Sequence, residues 1–501
     1  MKYEDLRITE DMPEQEAIRR EKLLKLEELG VNPFGQRYDV KAFSADLKEE
    51  YIEKTHEELE ENPVETTIAG RIMAIRDMGK VAFILIQDKK GSIQVYLRKD
   101  ALTETEWQVF KLADIGDIVG ITGKLMKTRT GELTIKAYTY THLVKSLRPL
   151  PEKFHGLADI EERSRRRYVD LMVNEESRRI AFLRPKVIRA MQHYLDNLGY
   201  TEVETPVLGT ILGGASARPF VTHHNTLDID MYLRIATELP LKRLLVGGMD
   251  AVYEFGRLFR NEGMDKNHNP EFTTVEIYKA FSDLEGMMDL TEGLFGAAVL
   301  AAKGSYEVEC RGHKVSLEPK FKRIHMVDAI KEKTGINFFD KMSLEQAKQL
   351  AKEHNIELEP HFQYGHIVNA FFEKYVEETI IEPTFVFGHP IEISPLTRKD
   401  PNDERFTQRF ELFICGSEYC NAYTELNDPI DQLERFENQL KEKELGNDEA
   451  NDMDKDFVEA LEYGMPPAGG VGIGIDRLVM LVAEVSTIRE VILFPTMKPR
   501  Q

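Results

Sequence analysis

The chain runs to 501 residues and carries 66 Lys and Arg against 87 Asp and Glu, a formal net charge of −21, with 42% hydrophobic and 31% charged residues. That composition excludes a disordered, fibrous or collagen-like chain and fits a globular protein of roughly two to four domains. Three cysteines, Cys310, Cys415 and Cys420, form no CxxC pair and no metal-ligand spacing, so a disulfide framework is excluded and a reducing compartment is expected.

The N-terminal segment has no signal-peptide stretch, and the longest near-apolar runs, Val81 to Ile86 and Leu294 to Ala302, are too short to span a bilayer; a cytoplasmic protein without membrane contact is expected. The first predicted element is a helix from Glu14 to Leu29, closed by Gly30 and followed by Asn32-Pro33, with Arg19, Arg20, Lys22 and Lys25 beside Leu23, Leu24 and Leu26. Residues 1–65 read as a helical extension and are acidic overall. Residues 66–148 differ, with 14 basic and 8 acidic groups. A basic block in an acidic chain is the footprint of a polyanion-binding module, although a solvated basic surface gives the same count.

Within that block, period-2 runs predict strands at Thr67–Arg76, Lys80–Gln87 and Ser92–Leu97, the last two joined by Asp88-Lys89-Lys90-Gly91. A short helix capped by Thr103 and carrying Trp107, Phe110 and Lys111 follows, then strands at Asp117–Lys124 and Glu132–Val144. Five strands with a helix between the third and fourth is the order of an OB-fold barrel, whose basic and aromatic face binds single-stranded nucleic acid. Arg71, Arg76, Phe83 and Gln94 are the candidate contacts, because an aromatic ring stacks on any base while amide and guanidinium groups read base edges; Phe83 also reads as ordinary strand core. Leu147-Arg148-Pro149-Leu150-Pro151 opens a proline-punctuated linker, 149–158.

Residues 159–501 mix helical and strand patterns, and three constellations there carry chemistry. A long helix, Ser177 to Leu198, ends at Gly199 and runs into a strand Tyr200–Glu204 and Thr205-Pro206. Phe255 to Tyr278 reads as a hairpin with Arg260 and Glu262 at its turn and His268, Phe272, Glu276 and Tyr278 on the return. Gly469-Gly470-Val471-Gly472-Ile473-Gly474-Ile475-Asp476-Arg477 is a glycine-rich strand opening a helix, where backbone approaches a ligand closely and Arg477 joins the helix N-terminus against an anion. No GxxxxGK[ST] phosphate loop is present. Glu238, Glu276 and Glu425, with Asn421, lie around these segments; several buried carboxylates in one pocket require a cationic partner, such as a substrate ammonium, whereas isolated surface carboxylates require none. Lys441 to Asp456 reads as a charge-rich surface segment or a mobile loop.

Together, in this order, the three constellations resemble the signature motifs of class II aminoacyl-tRNA synthetases. Arg148–Leu157, Gly213–Phe220, Phe259–Gly263, His268–Phe272, Thr424–Asp428 and Gly472–Arg477 narrow the resemblance to the bacterial lysyl-tRNA synthetase family over nearly the whole chain. The resemblance implies an α+β protein: an N-terminal five-stranded OB-fold barrel that binds the anticodon of tRNA(Lys), and a class II catalytic domain built on an antiparallel β-sheet flanked by helices. It further implies a homodimer, ATP and L-lysine as substrates, a lysyl-adenylate intermediate, and Mg²⁺, up to three ions bound with ATP. Carried over residue by residue, it assigns Arg260, Glu262 and Arg477 to catalysis. Arg260, Glu262, His268, Phe272, Glu411 and Arg477 would bind ATP, and Glu411 and Glu418 would bind metal. Gly214, Glu238, Arg260, Glu276, Tyr278, Asn421 and Glu425 would bind lysine, and Arg71, Arg76, Phe83, Gln94 and Glu132 the anticodon.

The sequence departs from the family pattern at Leu212, Thr237, Pro240 and Asn267, the last removing a positive charge beside His268 that Lys266 is placed to replace. Cys420 next to Asn421 is a further departure. Three other readings stand beside this one: a relative of aspartyl or asparaginyl type, one ligating lysine to another acceptor, and a non-catalytic nucleic-acid-binding protein that keeps the fold. The pocket carboxylates oppose the first, the barrel opposes the second, and the joint presence of Arg260, Glu262, Glu411, Glu418 and Arg477 opposes the third.

Overall fold

Period-2 apolar patterning in the first third of the chain, and alternating strand and helix patterning in the rest, divide it into two units, Met1–Ala158 and Asp159–Gln501. The computed structural model describes residues 6–35, 37–151, 157, 159–211, 213–215, 217–446 and 453–500. Leu212, residues 152–156 of the linker and residues 447–452 of the charge-rich tract lie outside the described residues.

In the first unit, strands Glu65–Asp77, Val81–Gln87, Ser92–Arg98, Ile118–Lys127 and Leu133–Val144 close into a barrel, the OB-fold order expected from the pattern. The third strand closes onto the fifth in parallel, Gln94 opposite Thr134 and Tyr96 opposite Lys136. Alternate residues point inward, so Ile68, Ile72, Ile84, Ile86, Ile93, Val95 and Leu97 are buried. The helix Glu104–Lys111 starts at Thr103 with a reciprocal cap, Thr103 with Glu106, and puts Trp107 and Phe110 into the same core.

The helix Glu14–Glu28 packs on this barrel through a residue that its pattern places among surface cations. Arg19 is buried, and its guanidinium donates to the carbonyls of Ile115, Ser146 and Arg148 at 3.0, 3.1 and 3.3 Å. Beneath it, the fully buried Lys145 ammonium donates to Asp114 at 2.5 Å and Asp117 at 2.8 Å.

The second unit is organised by an eight-stranded sheet in the order Lys322–His325, Thr384–Phe387, Arg409–Ile414, Ser417–Thr424, Ala468–Gly474, Glu271–Ala280, Ala251–Phe259, Thr201–Glu202. Its six central strands are antiparallel, as expected, but both edge pairings are parallel, which makes the sheet mixed. A parallel pairing needs a long crossover. Helices Met326–Thr334, Leu344–Glu353 and Tyr364–Tyr375 supply it at one edge.

Val275, Ile277, Phe410, Leu412, Val471 and Ile473 belong to one buried core with Val187, Met191 and Leu195 of the helix Glu175–Asn197 and Leu294 and Phe295 of the helix Leu284–Lys303. The long helix begins two residues ahead of the expected Ser177, because the Asn174 side chain caps it by accepting from the backbone of Glu176 and Ser177. The strand expected at Tyr200–Glu204 pairs only over Thr201–Glu202.

Trp107 is the single tryptophan of the chain and sits in the barrel core, so its fluorescence reports the first unit alone. Lys145→Met strands the buried Asp117 carboxylate, and the expected cost is about 3–5 kcal/mol, read as a lower urea midpoint of the Trp107 transition.

Candidate active site

Period 2 puts the complementary residues of the same strands on the sheet's other face: Phe272, Thr274, Glu276 and Tyr278 on one strand, Gly470, Gly472 and Gly474 on its neighbour, then Asn421 and Tyr423, then Arg409 and Glu411. They line a cavity of about 510 Å³, joined by Gly214, Glu238, Arg260, Glu262, His268, Glu418 and Arg477. Of the expected catalytic, nucleotide, amino-acid and metal residues, only Glu425 is absent from the lining.

Glu425 lies directly beneath it. A Cβ added to Gly470 would meet Glu425 Oε1 at 2.1 Å and the Tyr278 ring at 2.5 Å, so the missing side chain leaves that carboxylate oxygen open toward the cavity. Glu425 is fully buried, and Oε1 has no hydrogen-bond partner. Gly214, also at the wall, has φ +89°, and its Cβ would sit 3.1 Å from that of Ala236, so both backbone and space require glycine there.

One end of the cavity is dominated by carboxylates. Tyr278 Oη donates to Glu276 at 2.9 Å, the Thr237 amide to the same carboxylate at 3.3 Å, and Tyr423 Oη to Glu238 at 2.6 Å. Burial, with Glu238 close by, pushes the Glu276 carboxyl up to about 7. Burial likewise raises Glu425 to about 8 against the pull of Lys242, with Glu238 and Glu276 adding repulsion. The Tyr278 and Tyr423 hydroxyls are pushed well up by burial and stay protonated.

Lys242 and Tyr423 were not expected here. A Glu and a Lys four apart on a helix ordinarily pair at the surface; in the structure Glu238 and Lys242 are buried, Lys242 Nζ lying 2.6 Å from Glu238 and paired with Glu425. Tyr423 shares the period of Asn421, the one signal that would have found it. Pro240 costs the helix Glu238–Val246 no hydrogen bond, since first-turn amides have no intrahelical acceptor.

At the opposite end Arg260 stands without a carboxylate. Its guanidinium lies 5.2 Å over the Phe272 ring, and its Nε is buried with no partner. A half-buried cation that faces a cavity without a carboxylate partner is a site for an anion. Arg477 sits in the first turn of the helix Ile475–Ala483; it donates to the Glu418 carbonyl at 2.7 Å and lies 3.4 Å from His268, which pairs with Asp265. Asp476 fixes that turn to the returning strand by accepting from the Thr273 amide at 2.7 Å and from Arg184 at 2.5 Å. Glu262 is exposed at the rim, Asn267 lines the cavity, and Lys266 is exposed beside it.

Glu411 and Glu418 come from the two strands of the hairpin Arg409–Ile414 and Ser417–Thr424, Glu411 opposite Asn421 and Glu418 opposite Phe413, and both line the cavity. Against burial, His389 and Arg409 pull the Glu411 carboxyl down to about 2, while burial and the Glu411 charge push Glu418 up to about 7. Among the described residues no group of three or more His, Cys, Asp and Glu forms a cage for a metal. Two mutually repelling carboxylates fit a hard divalent ion that completes its shell with water and phosphate oxygens. Cys420 is buried with its thiol pushed up by burial, which leaves it inert at neutral pH.

In the first unit the outer barrel face aligns Arg76, Phe83 and Tyr96 across three strands, with Lys136 beyond. Phe83 points away from the core and lies 4.9 Å from the Tyr96 ring. Gln94 is on the same face, bonded to Thr134 Oγ1 at 3.0 Å, and Glu132 is exposed at a turn. Arg71 donates through one guanidinium nitrogen, Nη1, to the Gly116 carbonyl at 2.7 Å.

Comparison with known proteins places both units. Residues 159–498 match the family model of tRNA synthetases class II (D, K and N), and residues 66–143 match that of the OB-fold nucleic acid binding domain. The chain is 58% identical over 491 residues to the lysine–tRNA ligase of Streptococcus pyogenes serotype M5 (strain Manfredo), which covers 98% of this chain and 99% of the relative. It is 58% identical over 490 residues to the lysine–tRNA ligase of Streptococcus sanguinis (strain SK36) and 57% over 490 residues to that of Streptococcus suis (strain 05ZYH33), with the same coverage.

Carboxyls raised to about 7 and about 8 are partly protonated in the free protein near neutral pH, and a bound cation requires them ionised. Lysine is therefore expected to bind with proton release and more tightly at about pH 8.5 than at about pH 6, measured by calorimetry in buffers of different ionisation enthalpy.

Proposed function

The chain belongs to the class II tRNA synthetases of the D, K and N group, and on that basis we propose that it joins L-lysine to tRNA(Lys) with ATP, by way of lysyl-adenylate, releasing pyrophosphate and AMP. The observation that carries the choice of lysine is the cavity's asymmetry. Three buried carboxylates, Glu238, Glu276 and Glu425, occupy one end, and the unpaired Arg260 stands toward the other. Lysine presents the complementary charges, two ammonium groups and one carboxylate.

In this reading Glu238 and the wall at Gly214 take the α-ammonium. Glu425 Oε1 and Tyr278 take the ε-ammonium, with Glu276 and Asn421 completing the pocket. Arg260 holds the lysine carboxylate against the ATP α-phosphate, so that the carboxylate oxygen attacks phosphorus in line and pyrophosphate departs. Phe272 and Arg477 sandwich the adenine, and Glu262 and His268 hold the nucleotide near the rim. A terminal ribose hydroxyl of the tRNA then attacks the activated carbonyl and AMP leaves. Both steps depend on positioning and charge neutralisation.

Family members use ATP with a divalent metal. Here Glu411 and Glu418 would hold Mg²⁺, up to three ions accompanying ATP, and such ions neutralise charge developing on the phosphates. The outer barrel face is assigned to the anticodon, with Phe83 as stacking platform and Arg71, Arg76, Gln94 and Glu132 around it, one Arg71 nitrogen being held by the Gly116 carbonyl. A homodimer and a cytoplasmic location complete the proposal; among the described residues no helix is long and apolar enough to cross a membrane. An aspartate-specific pocket would need a free cation at its carboxylate end, and Lys242 there is already paired twice.

Lysine-dependent ATP/pyrophosphate exchange tests the proposal. Arg260→Ala is expected to lower exchange by roughly 10³-fold while leaving thermal unfolding unchanged. Phe83→Ala is expected to leave exchange intact and weaken tRNA charging, at about 1–3 kcal/mol for a lost base stack. Near-normal exchange by Arg260→Ala would sink the assignment.

A further inference from the structure

We propose that Lys242 is the resident counter-ion of the amino-acid pocket, a positioning residue that presets the charge and the carboxylate geometry by which lysine is selected. The inference rests on the reading of the cavity as a lysine site, and adds to it a residue that does not line the cavity.

Lys242 is fully buried one turn into the helix Glu238–Val246. Its Nζ lies 2.6 Å from Glu238 Oε1, pairs with Glu425 Oε2, and approaches the Leu396 carbonyl at 3.5 Å, with the Tyr423 ring 5.4 Å away. One ammonium thus ties together two carboxylates from distant parts of the chain and fixes which oxygen of each is left over. The second oxygen of Glu238 receives Tyr423 Oη, and Glu425 Oε1 is left without a partner beneath Gly470. The free oxygen is aimed by the occupied one.

The charges close only with this lysine included. Glu238, Glu276 and Glu425 supply three negative charges and Lys242 one positive, leaving two. The α- and ε-ammonium groups of lysine supply two positive charges, while its carboxylate is matched by Arg260. Without Lys242 the pocket would hold three carboxylates against two ammonium groups, and one carboxyl would have to keep a proton. The groups that face Lys242 are Glu238 from its own helix, Tyr423 and Glu425 from the strand Ser417–Thr424 and its continuation, and, behind them, Glu276 and Tyr278 from the strand Glu271–Ala280. All five are acids, so loss of the ammonium moves their titration in one direction, toward higher pH.

Lys242→Met and Lys242→Arg in the full-length protein test this by ATP/pyrophosphate exchange with lysine and ATP varied separately across pH. Lys242→Met is expected to raise the KM for lysine about 30-fold, the factor that about 2 kcal/mol corresponds to at 1.4 kcal/mol per tenfold. The KM for ATP should stay within about threefold, and the pH midpoint of lysine KM should rise by about one unit. Lys242→Arg, which keeps the charge, is expected to restore most of the lysine KM and the wild-type pH midpoint. Thermal unfolding verifies that each variant is folded, and Lys242→Gln replaces the Met variant if that one is not. A folded, charge-free variant with wild-type lysine KM and pH midpoint overturns the inference. A wild-type protein without lysine-dependent exchange overturns the reading of the site itself, so the two failures are told apart.

Discussion

Burying several carboxylates in one cavity is expensive, and the second unit is arranged around that constraint. Taken alone, Glu238, Glu276 and Glu425 would repel one another and protonate, and the raised carboxyls of Glu276 and Glu425 show how close they stand to doing so. They persist because each is held by donors: Lys242 to two of them, Tyr423 to Glu238, Tyr278 and the Thr237 amide to Glu276. What the donors leave unsatisfied is complementary to a diammonium amino acid. Substrate selection is in this sense the remainder of an electrostatic balance that the fold leaves open.

The strand period makes the balance possible. The strands Glu271–Ala280, Ala468–Gly474, Ser417–Thr424 and Arg409–Ile414 each spend one face on the core shared with the two long helices and the other on the cavity, so the residues that fold the sheet and those that line the cavity interleave along the same segments. Val275 and Ile277 pack inward while Glu276 and Tyr278 face the cavity; Val471 and Ile473 pack inward while Gly470 and Gly472 keep its floor clear. A one-residue slip in register would exchange core for chemistry, and the burial of those apolar residues guards against it.

Much of this was legible in the sequence, for reasons that differ by element. The barrel strands and the Thr103 cap are local patterns, read within a few residues of where they act. Arg260, Glu276, Gly470 and Arg477 were legible as spacing, because a hairpin and a strand-to-helix turn place fixed residues on one face. The parallel edge pairings were not, since they join segments separated by whole helices. Lys242 was hidden because a Glu and a Lys four apart on a helix are usually solvated, and only the tertiary fold buries them. Arg19 looks like a free cation in the sequence and is consumed by backbone carbonyls at a helix–barrel contact, and Arg71 gives one bond to the carbonyl of the Gly116 turn. Net charge was the least informative feature: residues 66–148 are basic within a chain of −21, and screening over a Debye length of about 10 Å lets each surface act on its own.

In the proposed function, charge more than shape selects the amino acid. Comparing kcat/KM for lysine with that for 2-aminoheptanoic acid, in which a methyl replaces the ε-ammonium, tests it most directly by ATP/pyrophosphate exchange. A site whose buried carboxylates await a cation should reject the analogue by about 10⁴-fold or more, whereas discrimination below about 10²-fold, within reach of an apolar pocket, would contradict the account.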